Sequence, residues 1–254
     1  MTGDERRALI QERIAADGEA DYATLASAFD VSEMTIRRDI EALEVQGKVR
    51  RVIGGAIAFT GKSEEPSFEA RAQLAAHEKA HIAEAAVTLL EPHATVILDS
   101  GSTALAVAKC IRGRNLALTI ITPSVLAALE LADEPDTTVI LTGGRLRPGE
   151  LSLIGSDAEA AFRRYNCDTY VMGVAGVDAK RGLTDYHGEE SNVKRLAMEC
   201  ADRVIVVVDS SKLARVQLVN IAPLSAAHTI VTDGPPEHPA LEAARQQGVK
   251  IQLC

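Results

Sequence analysis

Ser32-Glu33-Met34-Thr35-Ile36-Arg37-Arg38-Asp39-Ile40-Glu41-Ala42-Leu43 and, shortly after it, Lys48-Val49-Arg50-Arg51-Val52-Ile53-Gly54-Gly55-Ala56-Ile57-Ala58 decide the first part of the fold. Ser32 is a good N-cap, because its hydroxyl can accept from the early free amides of a helix that starts at Glu33. Gly47 supplies the usual C-terminal stop. Ile36, Ile40 and Leu43 fall at i, i+4 and i+7 and form one apolar stripe. At about 100° per residue, Met34 and Arg38 point away from that stripe, with Thr35 and Arg37 on its flanks. A helix of this size fits the major groove of B-DNA, where Arg suits guanine edges and phosphates. A solvated face, with the two arginines paired to Asp39 and Glu41, accounts for the helix equally well when it is taken alone.

The second stretch breaks that tie. It reads as two short strands around a Gly-Gly turn, and its first arm carries Lys48, Arg50 and Arg51 with no acid among them. A basic hairpin directly after such a helix is a wing, suited to the phosphate backbone or the minor groove. Upstream, Leu9, Ile10 and Ile14 mark a helix over residues 4–17 that Gly18 stops. Leu25, Ala26 and Phe29 mark a shorter helix over 22–29, and Asp30-Val31-Ser32 makes the turn between helices two and three. The expected unit is a small winged helix-turn-helix over residues 1–58, with double-stranded operator DNA as its partner. Ser32, Thr35, Arg37, Arg38, Lys48, Arg50 and Arg51 are its candidate contacts.

Charge narrows how that contact works. The 254-residue chain has a formal net charge of −9. Residues 1–60 hold eight Lys/Arg against eleven Asp/Glu, which leaves −3. A global basic field is therefore excluded, and binding must come from a local cluster. The match in residue type and spacing from Arg6/Arg7 through Leu25-Ala26, Val31-Ser32, Thr35-Ile36-Arg37-Arg38-Asp39-Ile40, Leu43, Gly47 and Arg51…Gly54-Gly55-Ala56 resembles the DeoR-type family of bacterial sugar-metabolism regulators.

Residues 59–72 are expected to link this unit to an α/β domain over 73–254, since Thr60-Gly61-Lys62-Ser63-Glu64-Glu65-Pro66-Ser67 is polar and lacks periodicity. Beyond it, apolar runs at residues 95–98, 116–121, 138–141, 169–172, 204–208 and 229–232 alternate with helical segments such as 78–90 and 191–201. Continuous apolar strands separated by helices predict a mostly parallel, open sheet, Rossmann-like in layout. Ligands of such sheets bind beyond the carboxyl ends of the strands. Those ends read Asp99-Ser100-Gly101-Ser102-Thr103, Thr122-Pro123-Ser124, Thr142-Gly143-Gly144-Arg145, Gly173-Val174-Ala175-Gly176-Val177-Asp178 and Asp209-Ser210-Ser211-Lys212. Each alone can be a plain turn, yet five that share small polar character favour a site. The first, directly before a helix, has the makeup of a phosphate cradle.

These blocks, with Glu78-Lys79…Ile82-Ala83 and Glu190…Val193-Lys194-Arg195, extend the DeoR-type resemblance over nearly the whole chain. The C-terminal domain of that family is similar to ribose-5-phosphate isomerase and other sugar-phosphate isomerases. The resemblance implies a sensor for a phosphorylated sugar or glycolytic intermediate, in which Asp99, Ser100, Gly101, Ser102 and Thr103 hold the phosphate, with Lys212, Gly143 and Gly144 nearby. Thr122, Ser124, Gly173 and Asp178 complete the candidate set. Pro123 stands where the family usually has Asn, which removes a side-chain donor and puts the ligand preference in question.

A sensor is expected here and not an enzyme. Aldose–ketose isomerisation needs a carboxylate base and an acid for the carbonyl oxygen. The Asp-Gly-Ala-Asp-Glu and Lys-Gly-Gly-Gly pattern of the isomerases is replaced by Gly173-Val-Ala-Gly-Val-Asp178 and Lys180-Arg181-Gly182-Leu183. Asp178, Glu190 and Lys180 remain as charged groups, for which solvated or structural roles are expected. His77 and His81 stand at i, i+4 without a third ligand at matching spacing, so no metal is expected, and no cofactor. His187, in the loop Asp185-Tyr186-His187-Gly188, is left open as a ligand contact.

With 46% hydrophobic and 25% charged residues the composition is that of an ordinary globular protein. No run of about 18 apolar residues exists for a membrane span. The four cysteines are far apart without a Cys-x-x-Cys pair, and the N-terminus lacks a signal-peptide core, so the cytoplasm is the expected compartment. One short helix and a wing form a small interface, and a homodimer or homotetramer assembled mainly through the larger domain is expected.

Overall fold

The computed structural model describes residues 1–45, 48–58 and 65–254. The expected helix stop at Gly47 and residues 59–64 of the expected linker lie outside the described residues. The chain divides into two compact units, Met1–Leu74 and Ala75–Cys254.

The smaller unit runs α1 (Gly3–Asp17), β1 (Glu19–Asp21), α2 (Tyr22–Phe29), α3 (Glu33–Val45), β2 (Val49–Val52), β3 (Gly55–Ala58) and α4 (Phe68–Gln73). Thr2 and Glu5 form a reciprocal capping box that satisfies two orphan amides at the start of α1. The apolar stripes of α1, α2 and α3 converge on one core of Ile10, Ile14, Leu25, Ile36, Ile40 and Leu43, closed by Val49 and Ala56 of the wing. β1 was not anticipated, because Glu-Ala-Asp has no apolar alternation. It pairs antiparallel with β3, giving a three-stranded sheet in the order β1-β3-β2. Gly55 makes that pairing possible: a Cβ there would lie 2.3 Å from the Ala20 carbonyl oxygen and 2.8 Å from Asp21 Cα. Within the expected linker stretch, residues from Phe68 onward form α4, whose start is capped by Ser67.

The larger unit runs α5 (Ala76–Val87), β4 (Thr95–Leu98), α6 (Ser102–Ile111), β5 (Thr119–Thr122), α7 (Val125–Leu131), β6 (Thr138–Leu141), β7 (Arg145–Arg147), β8 (Ser152–Ile154), α8 (Ser156–Phe162), β9 (Cys167–Gly173), β10 (Gly176–Asp178), β11 (Gly182–Asp185), α9 (Gly188–Glu199), β12 (Ala201–Val207), β13 (Val219–Ala222), β14 (Thr229–Thr232), α10 (Pro239–Gln246) and β15 (Lys250–Leu253). Seven strands form a sheet in the order β15-β14-β12-β9-β4-β5-β6, with every pairing parallel. Val96 and Leu98 enter the core beneath α5, α6 and α7, while Ile97 enters the core beneath α8, α9 and α10. This is the doubly covered sheet that continuous apolar strands require. The expected strand 116–121 begins only at Thr119, because Asn115 and Ala117 adopt left-handed φ values of 53° and 51°. β9 and β12 extend beyond their apolar runs by pairing with each other along their whole length, from Ala201 opposite Cys167 to Val207 opposite Gly173.

The chain winds outward from β4 through β5 to β6, returns to β9 on the other flank of β4, and continues outward to β15. The β4/β9 boundary is therefore the switch point of the sheet, where a crevice opens beyond the carboxyl ends. Among the described residues no helix is long and apolar enough to cross a membrane.

Candidate functional site

In the smaller unit, α3 is set in place by its buried side. Asp39 is 3% exposed and binds Arg6 Nε at 2.5 Å and Arg7 Nη1 at 3.3 Å, tying α3 to α1. Asp39 is thus engaged by α1 and not by the neighbouring arginines. Ser32 Oγ accepts from the Thr35 amide at 3.2 Å and lies 2.9 Å from Thr35 Oγ1, so both hydroxyls serve the start of α3. Arg37 lies 4.2 Å above the Tyr22 ring, a cation–π contact, and 3.8 Å from Glu33. Arg38 is exposed, with no ion pair among the described residues. Lys48 and Arg50 are exposed on the wing, whereas Arg51 binds Glu44 and Glu41 of α3. The face of α3 opposite the core therefore presents Met34 and Arg38, with Arg37 held against α2.

In the larger unit, the β4/β9 switch point brings together Asp99, Ser100, Gly101, Ser102, Thr103 and Gly173. Gly101 caps α6 with φ 96° and ψ 169°, a conformation that favours glycine, and contributes no side-chain cap. The first amides of α6 thus have no side-chain cap among the described residues. Asp99 faces β9: its Oδ2 accepts from the Gly173 amide at 3.0 Å and from Lys194 Nζ. Lys194, from α9, also donates to the Gly173 carbonyl at 2.9 Å and lies 3.4 Å from Asp185 Oδ2. Burial acts to lower the Lys194 pKa, but Asp99 and Asp185 overcome it and hold the group above its ordinary value, as a protonated ammonium. Tyr170, wholly buried in β9, has its hydroxyl pushed well above its ordinary value by burial and then by Asp99.

Glu190, one turn before Lys194, binds Ser152 Oγ and Arg147 Nη1 of the β7–β8 hairpin. Ser152 in turn bridges to Ser124, and Leu153 donates to the Pro123 carbonyl at 2.8 Å. These contacts fasten the hairpin over the end of β5. Burial raises the Glu190 carboxyl above its ordinary value, with Ser152 and Arg147 opposing. His187 Nδ1 is buried without a hydrogen-bond partner at the start of α9.

Other expected residues have local tasks. Thr122 Oγ1 accepts from the Ser124 amide at 3.0 Å, and Ser124 Oγ caps α7 at the Ala127 amide. Gly143 and Gly144 follow the outermost strand β6; a Cβ on Gly144 would lie 2.8 Å from the Ile154 carbonyl oxygen, so it serves the close packing of the hairpin. Asp178 Oδ1 accepts the amides of Lys180 at 2.9 Å and Arg181 at 2.8 Å, closing the β10–β11 turn. Lys212 is buried beyond β12, the neighbour of β9.

Sequence reasoning missed Lys194, Asp185, Arg147 and Ser152 as members of the cluster. From sequence, Glu190 is expected only in a solvated or structural role, and Lys194 enters only through the family resemblance. The available signal was their company: Glu190, Val193, Lys194 and Ala197 share one face of α9, and Val193 and Ala197 are core positions.

The comparisons with known proteins agree with this division. Residues 6–62 match the DeoR-like helix-turn-helix domain, and residues 74–234 match the DeoR C terminal sensor domain. The HTH-type transcriptional regulator GlpR of Haloferax volcanii is 32% identical, covering 97% of this chain and 96% of its own. The glycerol-3-phosphate regulon repressor of Escherichia coli (strain K12) is 29% identical over the full length of both. Among solved structures, ribose 5-phosphate isomerase A of Methanocaldococcus jannaschii aligns with 55% of each chain at 20% identity and a TM-score of 0.41. These curated relatives are transcription regulators and not enzymes. With a helix-turn-helix unit and a sensor domain matched in one chain, the protein belongs to the DeoR family of transcription regulators.

Proposed function

We propose that this regulator is a repressor of carbohydrate-metabolism genes, released from its operator by a phosphorylated sugar or glycolytic intermediate bound at the β4/β9 switch point. The observation that carries the reading is the uncapped start of α6 behind Gly101, beside the Lys194 ammonium. Free helix amides favour an anion, and Lys194 offsets part of the acidic character that Asp99 and Asp185 bring to the strand ends. Buried hydrogen-bonding groups such as Glu190 and the orphaned His187 Nδ1 suit the hydroxyls of a sugar. The relative from Escherichia coli is named for a phosphorylated three-carbon polyol, which is of the same chemical class.

The test is a thermal-shift screen of phosphorylated metabolites, followed by operator release with each stabilising compound. A ligand at 100 times its Kd stabilises the folded state by about 2.7 kcal/mol. At least one sugar phosphate should stabilise the native chain and release it from operator DNA, while its dephosphorylated counterpart does neither. Stabilisation by the unphosphorylated sugar alone would contradict the phosphate site.

A further inference from the structure

Arg51 lies in the first strand of the wing, among cations expected on DNA, but its surroundings give it another task. Alternate residues of a strand leave on opposite faces. Val49, wholly buried against the core, and Arg51 share the face of β2 that meets α3, whereas Arg50 leaves on the other face and Lys48 is exposed just ahead of the strand. On the α3 side both carboxylate oxygens of Glu44 are engaged by this one wing residue. Oε1 accepts the Arg51 amide at 2.9 Å and Oε2 accepts Nε at 2.5 Å. Glu41, one turn earlier on α3, lies 3.5 Å from Arg51 Nη1. Only three residues separate the end of α3 from the start of β2, so these contacts hold the wing at its root.

We propose that Arg51 is a positioning residue, a forked clamp that sets the wing against the recognition helix through Glu44 and Glu41, and that Lys48, exposed just ahead of β2, meets the phosphates. A phosphate competing for Arg51 would leave Glu41 and Glu44 unpaired beside polyanionic DNA. The planar fork of arginine also presents Nε to Glu44 and Nη1 to Glu41 at the same time, which a lysine at this position cannot do.

The test uses the full chain and a duplex selected by it from a random-sequence DNA pool, with affinity measured over a salt series. Loss of one phosphate contact reduces the slope of log affinity against log salt by about 0.9. Lys48→Ala should show that reduction. Arg51→Ala and Arg51→Lys should both weaken binding by about three- to tenfold with the native slope retained, since the lysine keeps the charge but not the fork. Glu44→Ala should speed hydrogen exchange at the Arg51 amide, and adding Arg51→Ala to it should cost less affinity than Arg51→Ala costs in the native protein. The clamp is overturned if Arg51→Ala flattens the slope as Lys48→Ala does. Native affinity in Arg51→Lys, or tighter DNA binding in Glu44→Ala, would overturn it equally.

Discussion

Lys194 is a buried ammonium group, 4% exposed, and it persists there because Asp99, Asp185 and the Gly173 carbonyl surround it. Removing one partner of such a buried set is far costlier than the pair is worth, since the remaining charges stay desolvated and unpaired. Lys194→Met should therefore lower stability by about 3–5 kcal/mol in urea titrations. A loss under about 1 kcal/mol, in the range of exposed pairs, would show that the group is solvated. Glu190 yields a second prediction with a definite sign. Burial raises its folded-state pKa above the ordinary value of 4.5, so the folded protein holds that proton more tightly than the unfolded chain. Its contribution favours folding below 4.5 and is lost as pH rises through the raised value. Glu190→Gln removes the titration, so the stability of the native protein relative to this variant should fall as pH climbs through that window. A difference that is flat or rising with pH, measured by urea midpoints on either side of 4.5, would contradict the burial described here.

Gly55 shows how an element depends on a close approach that the sequence leaves implicit. Gly54-Gly55 is legible as a turn, but only the pairing of β3 with β1 shows why position 55 has no room for a methyl group. Gly55→Ala should strain the wing sheet by about 1–3 kcal/mol, as overpacking does elsewhere. Amide protection at residues 19–21 and 55–58 should fall, and DNA affinity with it. Native protection in that variant would mean that β1 and β3 can separate at little cost. The same contrast runs through the whole chain. The helix periods of α2 and α3 and the apolar runs of β4, β6 and β14 were legible because each element carries its own pattern. β1, β10 and β13 were not, since Glu-Ala-Asp, Gly-Val-Asp and Val-Asn-Ile-Ala hold no unbroken apolar run and owe their extension to a partner strand. The phosphate-cradle candidate at residues 99–103 was legible from small residues before a helix. Its companions on α9 were not, because Glu190 and Lys194 find their partners on distant elements, Arg147, Asp99 and Asp185, and only the fold carries α9 across the strand ends.

For the molecule as a whole, regulation requires that the effector have different affinities for the DNA-competent and DNA-incompetent arrangements. A small wing and one recognition helix also favour two or more copies on repeated half-sites, so light scattering should report a homodimer or homotetramer. A monomer at micromolar concentration, with and without operator, would contradict that expectation. Linkage then makes the central claim quantitative: operator DNA must change effector affinity by the same factor as effector changes operator affinity. The loop that carries this coupling in our account is Asp99-Ser100-Gly101-Ser102-Thr103. Gly101→Glu places a carboxylate where the phosphate should sit, at a backbone conformation that disfavours any side chain. The most direct measurement is a pair of operator titrations, with and without the sugar phosphate found by screening, on the native protein and on Gly101→Glu. The account predicts that both bind operator equally well without effector and that only the native protein lets go when it is added. An unaltered response in Gly101→Glu would place the effector somewhere other than the β4/β9 switch point.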